Sequence, residues 1–157
     1  MLAEFVYLGD RLLSAIKPGE SIYYYHNDHL GTPQVLTNDS QAIAWKAVYT
    51  PFGEAVASIQ TVENPFRIPG QYYDPETGLH YNYFRYYNPQ TGRYITPDPI
   101  GLEGGINLFV YTGGNPVNRI DPFGLDYLLF QGGQLTWVFE SSPDMFGYSY
   151  DIGSKSW

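Results

Sequence analysis

The sequence predicts an all-β fold, a succession of short strands turned at Gly- and Pro-rich corners. Tyr, Phe and Trp make up 18% of the chain and charged residues only 15%, a balance that suits pleated faces better than solvated helices. The 17 glycines and 12 prolines supply the corners that many short strands need. A strand–turn–strand unit also repeats: Tyr73-Asp74-Pro75-Glu76-Thr77-Gly78 is followed, one aromatic strand later, by Tyr87-Asn88-Pro89-Gln90-Thr91-Gly92. Units this small cannot bury their own faces and are stable only when stacked or wrapped against neighbours.

Phe5-Val6-Tyr7-Leu8 and Arg11-Leu12-Leu13-Ser14-Ala15-Ile16, split by Gly9-Asp10, read as a hairpin. No cap precedes it, as expected of a piece of a longer repeat array. Pro18-Gly19-Glu20 turns the chain into the strand Ile22-Tyr23-Tyr24-Tyr25, and Gln34-Val35-Leu36-Thr37 pairs back after the His26-to-Pro33 corner. Residues 42–49 form a longer strand. It stops at Thr50-Pro51-Phe52-Gly53, with Pro second and Gly fourth as a type I turn prefers. Residues 55–61 are read as a strand, and residues 79–86 as a single aromatic one. Residues 106–111 fit either a strand or one helical turn, since so short a run does not discriminate. Asp126 to Phe130 and Leu135 to Phe139, around Gly132-Gly133, read as a further hairpin.

Several function classes are excluded or weakened by composition. Net charge is -8 with no Lys/Arg cluster, which argues against nucleic-acid binding through a phosphate-neutralising patch. Without cysteine there is no thiolate nucleophile, disulfide or Cys-based zinc site. No window approaches a membrane span, and Met1-Leu2-Ala3-Glu4-Phe5 lacks the basic and apolar regions of a cleaved leader. Export, if it occurs, is expected to use another route.

The chemistry is expected within Gly92-Arg93-Tyr94-Ile95-Thr96-Pro97-Asp98-Pro99-Ile100-Gly101-Leu102 and Asp121-Pro122-Phe123-Gly124-Leu125. Asp before Pro opens a turn, because the carboxylate accepts from backbone N–H groups ahead and Pro fixes the next φ. That alone makes two corners. Brought close, however, two carboxylates cannot both ionise cheaply, so one holds a proton while the other takes one, as in aspartic proteases. A neighbouring Arg would stabilise a developing oxyanion; Arg93 and Arg119 are chain neighbours of the two Asp residues. His26, Asp28 and His29 offer metal ligands without a visible third partner, and hydrogen bonding in a turn is the preferred reading. Tyr-rich strands are read as cross-strand packing rather than a ligand surface.

The segments Tyr24-Tyr25-His26-Asn27-Asp28-His29-Leu30-Gly31-Thr32-Pro33, Trp45 through Gly53-Glu54, Phe66 through Leu79, and Arg85-Tyr86-Tyr87-Asn88-Pro89, followed in order by the two Asp-Pro segments, resemble the C-terminal end of the Rhs-repeat (YD-repeat) core of polymorphic bacterial toxins and insecticidal toxin complexes. The likeness covers roughly residues 5–125. It implies a β-strand spiral forming the terminal turn and plug of a hollow shell around a toxin. It further implies self-cleavage after the second Asp-Pro motif, with Asp98, Asp121 and Arg85 as catalytic residues and Leu125–Asp126 as the bond cut, and no metal or cofactor. Residues 1–125 would then be the core, and residues 126–157 the start of a variable toxin domain. Implied partners are the rest of the shell, the C-terminal toxin as cargo, and a secretion spike, adaptor or immunity protein. Export would run through a contractile (type VI) secretion system or a toxin complex. The alternatives are a purely structural shell segment, or an activity lodged in a C-terminal effector, faintly L,D-transpeptidase-like in residues 128–157.

Overall fold

The computed structural model describes residues 3–138 except 10, 20, 126 and 133. Among the described residues thirteen strands form three antiparallel sheets. The first is a six-stranded meander of β1 (Glu4–Leu8), β2 (Arg11–Lys17), β3 (Ser21–Asn27), β4 (Pro33–Asn38), β5 (Ile43–Tyr49) and β6 (Ala55–Gln60), each paired with its neighbour in sequence. β5 carries the period-2 signal most plainly. From Trp45 onward, Trp45 and Ala47 are buried and Lys46 and Val48 exposed, while Ala44 beside Trp45 is buried as well. Trp45 and Ala47 pack with Leu36 of β4 in one apolar cluster, where full burial of a large side chain contributes about 1.5–3 kcal/mol.

The second sheet holds β7 (Tyr72–Tyr73), β8 (His80–Asn82), β9 (Arg85–Asn88) and β10 (Arg93–Tyr94), in the order β10-β9-β8-β7. Residues 79–86 are therefore not one strand. The run folds back at Tyr83-Phe84, with Tyr83 at φ 53°, and β8 pairs with β9. This reversal points Asn82 and Arg85 inward. At the repeated turns, Asp74 accepts from the Glu76 N–H and Asn88 from the Gln90 N–H, so Asn does at the second turn what Asp does at the first.

The third sheet joins β11 (Arg119–Ile120), β12 (Tyr127–Gln131) and β13 (Gln134–Val138) in that order. Between β10 and β11 the chain makes two short 3-10 turns, Gly101–Gly104 and Thr112–Gly114. Residues 106–111 form neither of the expected elements, only an isolated bridge from Val110 to Arg93. The second apolar cluster, Leu30, Ile68, Tyr87, Tyr94, Tyr111 and Ile120, sits where the sheets meet, with Leu128 and Phe130 of β12 against it. The hairpin expected beyond residue 125 is present as β12–β13. The rest of the expected C-terminal segment, residues 139–157, lies outside the described residues.

Candidate functional site

Arg85 occupies the centre of the site because the Tyr83-Phe84 reversal turns the start of β9 inward. Its Nη2 lies 2.8 Å from Asp98 Oδ2 and 3.4 Å from Asp121 Oδ2. Its Nε donates to the Gly124 carbonyl at 2.6 Å and its Nη1 to the Leu108 carbonyl at 3.1 Å. Nη2 also donates to the Leu125 carbonyl at 3.3 Å. The guanidinium is stacked 3.6 Å from the Tyr94 ring centroid, a desolvated cation–π contact of about 2 kcal/mol. Arg85, Asp98 and Asp121 are only 3%, 7% and 2% exposed.

The two aspartates are bound differently. Asp121 Oδ1 accepts from the N–H groups of Gly124 and Leu125 at 2.7 and 3.0 Å, and its Oδ2 from the Tyr94 hydroxyl at 2.7 Å. Asp98 Oδ1 accepts from the Ile100 N–H at 3.1 Å, and its Oδ2 faces Arg85. Gly104 closes over that carboxylate: a Cβ there would lie 2.7 Å from Asp98 Oδ2. Burial raises both carboxyl pKa values, against the Ile100 N–H and Arg85 at Asp98 and chiefly against Tyr94 at Asp121. Burial likewise holds the Tyr94 hydroxyl well above its ordinary range, so Tyr94 acts as a donor to Asp121.

Asp121-Pro122-Phe123-Gly124-Leu125 is gripped along its backbone. Asn82 Nδ2 donates to the Asp121 carbonyl at 2.9 Å, the Phe84 N–H to the Phe123 carbonyl at 3.2 Å, and Arg85 to those of Gly124 and Leu125. Gly124, at φ +69°, lies where a Cβ would come within 2.6 Å of the Asn82 carbonyl. Only glycine combines that conformation with that approach.

Of the three candidate arginines, only Arg85 meets both aspartates. Arg93 donates to the Asn107 side chain and lies over Phe109, while Arg119 donates to the Thr112 carbonyl and lies over Tyr127. Asp126, the far side of the expected cut, lies outside the described residues. The histidine–aspartate corner is a turn: Asp28 Oδ1 accepts from the N–H groups of Leu30, Gly31 and Thr32. His26 bonds Thr37 Oγ1 and His29 the Val117 carbonyl. Among the described residues no group of three His, Cys, Asp or Glu side chains could hold a metal. Sequence reasoning missed Asn82 and Tyr94. Tyr94 stands in the Gly92-Arg93-Tyr94 lead-in to the first Asp-Pro, but nothing in one sequence separates its hydroxyl from the other tyrosines.

Fold and site together define an antiparallel β-repeat protein whose two Asp-Pro corners enclose a buried Asp–Arg–Asp cluster. The family model described as RHS protein matches residues 22–59. The chain is 41% identical over 123 residues to Double-stranded DNA deaminase toxin A of Burkholderia cenocepacia (strain H111), covering 75% of this chain and 8% of that protein. It is 41% identical over 104 residues to Toxin protein Tse5 of Pseudomonas aeruginosa, covering 66% of this chain and 8% of that one. A solved structure, TcdB2-TccC3 without its hypervariable C-terminal region, matches at TM-score 0.69 and 27% identity over 78% of this chain and 6% of that one. The chain belongs to the Rhs family, and it spans less than a tenth of the length of these relatives. No helix among the described residues is long and apolar enough to cross a membrane.

Proposed function

We propose that this segment closes a toxin-enclosing Rhs shell and cuts its own chain once, between Leu125 and Asp126. The observation that carries the reading is a single nitrogen: Arg85 Nη2 faces Asp98, Asp121 and the Leu125 carbonyl together. Water adds its oxygen to that carbonyl carbon and gives a proton to the ionised carboxylate. Arg85 bears the charge developing on the carbonyl oxygen. The protonated partner of the pair delivers its proton to the departing nitrogen of Asp126, and the carbon–nitrogen bond breaks. Leu125 becomes a carboxylate and Asp126 a new amino terminus. Burial raises both carboxyl pKa values, which suits a pair that shares one proton near neutrality.

The alternative is a purely structural pair of corners. Asp74-Pro75 shows what a plain corner looks like in this chain: its carboxylate sits at the surface and accepts from the Glu76 N–H and Thr77 hydroxyl. Asp98 and Asp121 are instead buried on one shared cation, an arrangement a turn does not need. The toxin names of the relatives support a C-terminal toxin as cargo and the upstream shell as partner. A secretion spike, adaptor or immunity protein, and export from the cell, belong to the same reading.

The test is the intact mass of freshly purified chain under denaturing conditions, beside Asp98→Asn and Asp121→Asn. Two fragments joining at Leu125–Asp126 in the parent, with both variants whole and folded, are expected. A folded, uncut parent would favour the structural corners.

A further inference from the structure

A cleft of about 350 Å³ opens between the β3–β4 corner, the end of β5 and the segment before β11, a size at the lower end of small-ligand sites. Asp28 and Gln34 line it from the first, Tyr49 and Pro51 from the second, and Pro116 and Val117 from the third. His29 ties the first to the third through its ring bond to the Val117 carbonyl at 3.0 Å. The cleft shares no residue with the Asp98–Arg85–Asp121 cluster.

Two of its polar groups are not used up by the fold. Asp28 Oδ1 fixes the corner by accepting from the N–H groups of Leu30, Gly31 and Thr32. Asp28 Oδ2 meets only the Gln34 Nε2, at 3.3 Å, beyond the usual hydrogen-bond range, and that amide is shared with the Thr32 carbonyl at 3.4 Å. The Tyr49 hydroxyl is buried and has no hydrogen-bond partner, a deficit that a bound polar group would make good. Burial raises its pKa against Arg67, with Asp28 adding to the rise, so it stays a neutral phenol whose oxygen accepts. Arg67 does not line the cleft; its Nη1 donates to the Asn64 and Phe66 carbonyls at 2.8 Å each. The remaining walls, Pro51, Pro116 and Val117, are apolar, and Val117 is 52% exposed.

We propose that this cleft binds a primary ammonium on an alkyl stem, the side chain of a lysine presented by a partner protein. The ammonium donates to Asp28 Oδ2 and to the Tyr49 oxygen, a charge-assisted bond and a neutral one. Its stem lies against Pro51, Pro116 and Val117, as lysine stems cover apolar surface while their heads stay polar. One open carboxylate oxygen suits a compact ammonium better than a guanidinium fork, which seeks two. Charge agrees in sign: no lysine or arginine is among the residues lining the cleft, and the chain carries a net -8, which draws a basic partner in.

The test titrates the full chain with n-butylammonium and with butan-1-ol at constant ionic strength, followed by NMR shifts of the Tyr49 ring and the Val117 methyls. Saturable shifts with butylammonium at millimolar concentration are expected, and binding about tenfold or more weaker with the alcohol. Asp28→Asn keeps an acceptor for the three N–H groups of the corner and removes the charge, and should weaken butylammonium about tenfold or more. Gln34→Lys leaves Asp28 in place and sets a resident ammonium beside Oδ2, so it should weaken the probe as much without touching the corner. Equal binding of alcohol and ammonium would mean an apolar groove and overturn the proposal, as would no saturable shift in a parent that melts as a folded chain. Parent-like affinity in a folded Asp28→Asn chain would overturn it too; if that variant does not fold, the same result in Gln34→Lys decides against it.

Discussion

Gly70 and Pro122 touch through their backbones: a Cβ on Gly70 would lie 2.5 Å from the Pro122 carbonyl oxygen and 2.6 Å from its Cα. Gly70 also holds φ +92°, a conformation that side-chain-bearing residues adopt at a cost. Gly70→Ala should therefore lose about 1–3 kcal/mol and push the Asp121-to-Leu125 loop off Arg85. Urea unfolding should show a lower midpoint, and the denaturing mass time course slower cleavage. An unchanged midpoint would mean that the two segments part without consequence.

Arg85→Lys keeps the charge but not the fork. One ammonium cannot reproduce the separate bonds from Nε to Gly124, Nη1 to Leu108 and Nη2 to Leu125. Orphaning buried carbonyls should cost about 2 kcal/mol or more. Loss of the donor on the Leu125 carbonyl should slow cleavage about 100-fold. Thermal melting and fragment yield over time check the two effects separately.

Tyr94→Phe retains the ring beneath the guanidinium and removes one oxygen. That oxygen donates to Asp121 Oδ2 at 2.7 Å and accepts from Asn82 Nδ2 at 2.6 Å. The variant should lose about 1–3 kcal/mol, and Asp121 should move further above the usual carboxylate range. Carbon-detected NMR titration of the Asp121 carboxyl, in the uncut Asp98→Asn background, reads the second effect directly.

His80 supplies a pH dependence of its own. It is 1% exposed, with Nδ1 2.7 Å from Gln71 Oε1, and burial with Arg67 nearby lowers its pKa from 6.5 to about 3. A depressed folded value means stability that is complete above pH 6.5 and is lost as pH falls towards about 3, by an amount on the order of a few kcal/mol. Asp98 and Asp121 work the other way. Their raised values give stability that is full at low pH and declines as pH rises through them. His80→Gln, which keeps a donor for Gln71, should flatten the loss below pH 6.5, measured as urea midpoints at successive pH values. A His80→Gln profile parallel to the parent's across that window would refute the assignment.

The strands of residues 3–60 were legible because alternation and Gly or Pro corners agree there, as at β5 and Thr50-Pro51-Phe52-Gly53. Residues 79–86 were not. Their reversal uses Tyr83 at φ 53°, with no Gly, Asn or Asp to announce it, and its rings pack on Phe84 and Phe123, so tertiary contact supplies what a turn residue normally would. Asp98, Asp121 and Arg85 came from motif resemblance and carboxylate chemistry. Asn82 and Tyr94 became visible only in three dimensions, because their roles depend on Asp121, 39 and 27 residues downstream, well beyond any local pattern.

The residues seen to grip the Leu125 carbonyl and its loop, namely Asn82, Phe84, Arg85, Asp98, Tyr94 and Asp121, all precede that bond in the chain. A genetic exchange with its breakpoint just after Leu125 would thus carry all of these gripping residues together, whatever sequence followed.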